Sequence, residues 1–252
     1  MKLNYKQFGQ GEPIIILHGL FGTLDNWQTI AKKLAENHMV FIIDQRNHGK
    51  SPHSDEFSYK IMAEDLKEFM FQHHIYEAII MGHSMGGKVA MRFALDYPDM
   101  VSKLIVVDIA PKKYKGGHQT IFEAMFDLDL ENLTDRRAID EALKVKIPDD
   151  GIRLFLMKNL ARQKEGGYRW KMNLQVLYKN YQEILSTIEI DDAYDDEVLF
   201  IRGGQSKYIR DEDILDIQEI FPLMQLETIP NTGHWLHAEA PKMFIKIVNN
   251  FI

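Results

Sequence analysis

Cysteine is absent from the 252 residues. The absence rules out a disulfide framework, a CxxC redox pair, thiolate-bound zinc or iron–sulfur clusters, and a cysteine nucleophile. Long hydrophobic runs are missing too. The longest uninterrupted one, Met39–Ile43, has five residues, against the roughly 20 that a membrane-spanning helix requires. Met1-Lys2-Leu3-Asn4-Tyr5-Lys6 leads into neither an apolar stretch nor a small-residue cleavage site, so a cytoplasmic protein beginning at Met1 is expected. Positive charge is also in deficit: 30 Lys and Arg stand against 37 Asp and Glu, a net charge of −7. That balance disfavours nucleic acid as a partner. The remainder is an ordinary globular mixture, 45% hydrophobic and 27% charged, long enough for one core and a smaller appendage.

Short runs rich in Ile and Val punctuate the chain: Ile14–Leu17, Met39–Ile43, Ala78–Met81, Leu104–Val107, Val198–Ile201 and the broken run Met224–Ile229. Continuous rather than alternating hydrophobicity predicts strands covered on both faces, as in a parallel sheet. Helical stripes lie between them. Trp27, Ile30, Ala31 and Leu34 share a face that Asp25 or Asn26 would cap. Met62, Leu66, Phe69 and Met70 follow Ser58, a candidate N-cap, and Val89, Ala90, Phe93, Ala94 and Tyr97 end before Pro98. Phe244, Ile247, Val248 and Phe251 form the last stripe, with Pro241 suited to its first turn. The alternation predicts an α/β fold with an open, doubly wound, mostly parallel sheet. It lapses between Pro111 and Asp192, where helical stripes occur without a convincing strand run. Residues 1–110 and 193–252 are therefore expected to form the core, and 111–192 an inserted helical subdomain.

The strongest chemical signal is Gly82-His83-Ser84-Met85-Gly86-Gly87, between a strand run and a helix. A G-x-S-x-G sequence in that context forces its serine into a strained, exposed turn. The following amide, on Met85, then sits at a helix N-terminus facing developing negative charge. Ser84 is the candidate nucleophile. A serine hydroxyl needs an adjacent base, and His234, in the loop between the last strand run and the last helix, is the candidate. A metal shared by His234 and His237 is disfavoured because no H-E-x-x-H motif accompanies them. The acid that orients the base would ordinarily follow the Val198–Ile201 run, near Ser206, where no Asp stands. Asp108, ending the preceding strand run, is the preferred candidate, with Asp211 or Asp213 as alternatives. The His18-Gly19-Leu20-Phe21-Gly22 turn would supply a second oxyanion donor, the Leu20 amide, beside that of Met85. His18 is read as structural, while Arg46 and His48 could line the site. His73, His74 and His83 are read as surface or packing residues.

The 111–192 segment supplies Phe122, Met125, Phe126, Phe155, Met157, Trp170, Leu174, Leu177 and Tyr178. Helix packing accounts for most of them, and a few are expected to line a pocket for short-to-medium acyl chains. Phe21, His83, Phe122, Trp170 and Trp235 are the candidates for contact with substrate.

Four segments together carry a resemblance. They are His18–Trp27, Asp44-Gln45-Arg46-Asn47-His48-Gly49, Gly82–Lys88 and Val107-Asp108-Ile109-Ala110-Pro111. The sequence resembles the α/β-hydrolase superfamily, and within it the YbfF-type esterases, which are similar to mitochondrial abhydrolase-domain proteins. The resemblance implies hydrolysis of acyl esters, with acyl-CoA thioesters as a further substrate class, and no metal or organic cofactor. It implies that the acid follows the sixth strand, which favours Asp108, and that 111–192 caps the active site. Two rivals share these motifs: a cofactor-free perhydrolase or haloperoxidase, and a signal-binding receptor with a vestigial triad. Dehalogenases and epoxide hydrolases use a carboxylate nucleophile, so Ser84 argues against both.

Overall fold

In the computed structural model, which describes residues 1–190 and 192–252, the hydrophobic runs become strands of one sheet. Residue 191, which the 111–192 boundary takes in, lies outside the described residues. The strands are β1 Tyr5–Phe8, β2 Pro13–Leu17, β3 Met39–Ile43, β4 Ala78–His83, β5 Val101–Val107, β6 Leu160–Arg162, β7 Tyr168–Trp170, β8 Val198–Gly203 and β9 Met224–Ile229. Seven of them lie in the order β1-β3-β2-β4-β5-β8-β9. Only β1 runs antiparallel, with Tyr5 opposite Ile43. Its side chains are mostly exposed, so no hydrophobic signal marked it in the sequence. The other edge, β9, has a broken apolar run for the same reason: Gln225, Glu227 and Thr228 are exposed.

The helices are α1 Gln28–Leu34, α2 Tyr59–Gln72, α3 Met85–Asp96, α4 Gln119–Phe126, α5 Arg136–Lys144, α6 Asp150–Met157, α7 Leu174–Lys179, α8 Tyr181–Leu185, α9 Ile214–Ile220, α10 Leu236–Glu239 and α11 Pro241–Phe251. The pleat sends alternate strand residues to two cores. Ile14, Ile16, Val40, Ile42, Ile105 and Val107 meet Trp27, Ile30 and Leu34 of the α1 region and Phe244 and Val248 of α11. Ile15, Leu17, Phe41, Ile80, Leu104 and Val106 meet α2, α3 and the segment between β5 and β8. Both faces being covered explains why the strands read as continuous apolar runs.

Caps follow the sequence in part. The Ser58 hydroxyl accepts the Ile61 amide at 3.1 Å and opens α2. Neither Asp25 nor Asn26 caps α1. A 3₁₀ turn, Leu24–Trp27, precedes that helix, and the Asn26 side chain accepts the Thr23 amide at 2.7 Å. Asp25 points outward to Lys6, also at 2.7 Å.

Between β5 and β8 the described residues add no strand to the large sheet and carry α4 to α8. This segment also contains an antiparallel hairpin, β6–β7, in a stretch that shows no convincing strand run. Its strands are three residues each, too short to show a period, and turn through Gly166 and Gly167, both at positive φ. Lys88 of α3 ties the two ends of this segment together. Its buried ammonium donates to the carbonyls of Lys112, at 3.0 Å, and of Ser186. Among the described residues, no helix is long and apolar enough to cross a membrane.

Strand order reverses beside β2, since β3 lies on one side of it and β4 on the other. The loops after β2 and β4 therefore diverge, and a crevice opens between them at the carboxyl edge of the sheet.

Candidate active site

Ser84 stands at that edge, where β4 ends and α3 begins. Its backbone is at φ 53° and ψ −121°, a conformation costing about 1–3 kcal/mol for a residue with a Cβ. The surroundings enforce it. A Cβ on Gly82 would lie 2.1 Å from the Gly86 carbonyl oxygen, and one on Gly86 would lie 2.5 Å from those of Leu17 and His18. The Ser84 amide donates to Val107 at 3.0 Å, while its carbonyl accepts Gly87 at 2.8 Å and Lys88 at 3.1 Å. The main chain is held on both sides, leaving the hydroxyl at the crevice.

The loop after β9 brings His234 to the same place. Its Nδ1 lies 2.7 Å from Oδ2 of Asp108, which immediately follows β5 and is fully buried. A carboxylate only accepts, so Nδ1 carries the proton and Nε2 presents its lone pair. Asp108 also accepts the Gly203 amide at 3.1 Å and the Ser206 hydroxyl, so three donors satisfy the buried carboxylate. Tyr208 stacks on the His234 ring, centroids 3.9 Å apart and planes within 16°. Ser206 and Tyr208 were not among the sequence candidates. Their loop is the one in which the acid ordinarily stands, and here a serine that binds Asp108 occupies the place. Asp213 instead pairs with Lys112, and Asp211 with Arg202 at 2.7 Å.

The turn after β2 completes the crevice. Gly19 has no room for a side chain, since a Cβ would sit 3.0 Å from Nδ1 of His83 and 3.1 Å from Cβ of Ser84. His18 braces the turn: Nδ1 donates to the Gly19 carbonyl at 2.9 Å and Nε2 accepts the Gln45 amide at 3.1 Å. Burial pushes its pKa down to about 4, so the ring works as a neutral bracket. Phe21 is left-handed, at φ 59°, which is rare for a bulky residue. Its carbonyl accepts from the buried Asn159 side chain at 2.5 Å, a contact reaching across from beyond α6. Among the described residues, the amides of Leu20 and Met85 donate to no other backbone carbonyl.

Two cavities meet here, sharing Leu20, Ser84, His118 and Tyr208. The first, about 540 Å³, has a mainly apolar wall that includes Phe21, Ile121, Ile152, Phe155 and Trp235, together with His83 and His234. The second, about 410 Å³, passes Met85 and Lys88. His83 donates its Nε2 proton to the His234 carbonyl at 2.9 Å, and burial among histidines holds its pKa well below the usual range.

Phe122 and Trp170 line neither cavity. Phe122 is fully buried and packs edge-on against Phe21, centroids 4.9 Å apart. Trp170 lies on β7, its indole N–H directed at the Met125 carbonyl, 3.3 Å away. Arg46 and His48 are withdrawn as well. Arg46 forks onto Asp65 at 2.6 and 3.0 Å, and the buried His48 bonds the Arg46 carbonyl at 2.9 Å. His237 does not join His234; it stacks on Trp27, centroids 4.1 Å apart.

Comparison with known proteins agrees with this architecture. The α/β-hydrolase fold family model matches residues 12–241. The sn-1-specific diacylglycerol lipase ABHD11 of Danio rerio is 38% identical over 100% of this chain and 83% of its own length. Esterase YbfF of Escherichia coli is 33% identical, covering 100% and 99%. The solved structure of a marine microorganism esterase superposes with a TM-score of 0.98 at 46% identity, covering 100% of this chain and 99% of its own. The chain belongs to the α/β-hydrolase fold family, as a hydrolase of the esterase and lipase type.

Proposed function

We propose that the chain hydrolyses carboxylic esters by two-step acyl transfer, with Ser84 as nucleophile, His234 as general base and Asp108 as the acid that orients it. The observation that carries this reading is the 2.7 Å contact between His234 and the buried Asp108, at the edge where the Ser84 turn emerges. Ser84 Oγ attacks the carbonyl carbon while Nε2 of His234 takes its proton. The Leu20 and Met85 amides hold the oxyanion, the second aided by the N-terminus of α3. His234 then gives the proton to the leaving alkoxide, and afterwards activates the water that releases the acid. Asp108 keeps the imidazole in one tautomer and stabilises its protonated form.

His234 lines the first cavity and not the second. The leaving group must pass it, so the alcohol occupies the apolar first cavity. Residues 111–192 act as a cap, contributing Ile121, Ile152 and Phe155 to that wall. Thioesters pass through the same tetrahedral intermediate, so acyl-CoA belongs in the substrate panel. The test is covalent labelling by a fluorophosphonate together with kcat on an ester panel. Ser84→Ala should abolish both, and His234→Ala should remove nearly all turnover. Absence of labelling, as in a receptor with an inert serine, or near-normal rates in either variant, would overturn the assignment.

A further inference from the structure

The second cavity adjoins Ser84 and is rich in basic side chains. Six basic side chains line it, Lys112, Lys113, Lys115, Lys207, Arg210 and Lys88, the last with its pKa pushed down to about 7 by burial, and no Asp or Glu does so among the described residues. This concentration occurs in a chain whose net charge is −7. Three of the six are committed: Lys88 to backbone carbonyls, Lys112 to Asp213, and Arg210 to Glu212 at 3.0 Å. Lys113, Lys115 and Lys207 are exposed and make no ion pair among the described residues. Like charges gathered around a concave wall focus the field on whatever enters. Ser84 and Met85 line the cavity, so a group held in it lies beside the candidate nucleophile.

We propose that this cavity is a subsite for a carboxylate on the acyl half of the ester, making monoesters of short dicarboxylic acids substrates. The inference rests on the two-step reading above, which sends the alcohol past His234 into the first cavity. The acyl half is then left for the second. Ser84 Oγ bonds to the ester carbon and the alkoxide leaves with the serine proton. Water cleaves the acyl-enzyme, so that monoester and water give dicarboxylate, alcohol and a proton. Lysines suit the task, being mobile point charges that accept a carboxylate arriving at varied chain lengths.

The test compares kcat/KM for monoethyl glutarate and for ethyl 5-oxohexanoate, a neutral analogue with the same leaving group. A preference for the anionic ester that fades with added salt is expected. Each lysine at about 6 Å is worth about threefold in a water-like dielectric. Lys113→Ala, Lys115→Ala and Lys207→Ala combined should therefore shrink the ratio by about tenfold or more at low salt. An equal rate on both esters, or a preference that neither salt nor the triple variant moves, would overturn the subsite alone. Cleavage of neither ester would overturn the reading beneath it. A preference instead for a phosphate on the alcohol, measured with 2-phosphoethyl pentanoate against ethyl pentanoate, would refute the assignment to the acyl half.

Discussion

Replacing Asp108 by Asn separates the acid's electrostatic role from its structural one. Asp108 is left-handed, at φ 52°, and Asn is among the residues that tolerate this conformation, so the backbone need not move. The amide has one acceptor where the carboxylate has two. If its oxygen keeps the Gly203 amide, now at 3.1 Å, its NH₂ faces Ser206 and Nδ1 of His234. Ser206 can turn its hydroxyl and accept, but the imidazole can accept only by moving its proton to Nε2. That nitrogen then offers Ser84 a proton instead of taking one. The opposite amide flip sets NH₂ against the buried Gly203 N–H, at a cost of about 1–3 kcal/mol. That flip keeps Nδ1–H donating to the amide oxygen, but only at this cost and without a negative charge to stabilise the imidazolium, so across the two orientations the expected fall in kcat is about 10⁴-fold, or about 5.5 kcal/mol. Ser206→Ala removes one donor and leaves the tautomer intact, so about tenfold is expected. Both variants can be assayed on p-nitrophenyl butyrate, with thermal unfolding followed to show that the fold persists. An Asp108→Asn enzyme within tenfold of the parent, or equal losses in the two variants, would refute the reasoning.

Three further outcomes follow. Burial pushes His237 down to about 3 from an ordinary 6.5, so the folded protein binds fewer protons than the unfolded chain below pH 6.5. Stability is intact above that pH and lost as it falls. His237→Phe keeps the stack on Trp27 and should lessen the loss between pH 7 and 5 by on the order of 2 kcal/mol in urea titrations; parallel curves would refute this. Asn159→Ala frees the Phe21 carbonyl and loosens the turn that carries Leu20, so kcat should fall about tenfold with KM little changed; a change confined to KM would show that Asn159 does not position the oxyanion donor. Ser206→Asp, placed on the Asp108→Asn background, should recover at least about tenfold of the lost kcat; no recovery would show that the β8 loop cannot serve His234.

The elements that were legible are those whose burial is two-sided. β2 to β5 and β8 sit between helices and so read as unbroken apolar runs. β1 bears exposed Tyr5, Lys6 and Gln7 and left no such trace; its backbone pairing with β3 is invisible to any count of apolar side chains. Ser84 was legible because the strain of its turn demands glycines at fixed offsets, a local requirement written in adjacent letters. The contacts from the 111–192 segment were not. Phe122 and Trp170 were plausible pocket residues by type, but which face of a short helix or hairpin meets the cavity depends on packing against Phe21 and Met125. Asn159 reaches Phe21 across 138 positions of sequence.

The acid lies between these cases. Asp108 and the Ser206 loop both lie at strand ends on the carboxyl edge. β5 and β8 are hydrogen-bonded neighbours, Val107 opposite Ile201, so their ends approach His234 side by side. Ser206 and His234 bind the same Asp108 oxygen, at 2.5 and 2.7 Å, which places the Ser206 hydroxyl no more than their sum from Nδ1. Either loop can therefore furnish the carboxylate, provided the other yields a small partner. Here Asp108 follows β5 and the β8 loop answers with a serine that donates to it, so under the proposed mechanism the missing Asp near Ser206 is replaced by one from the adjacent strand.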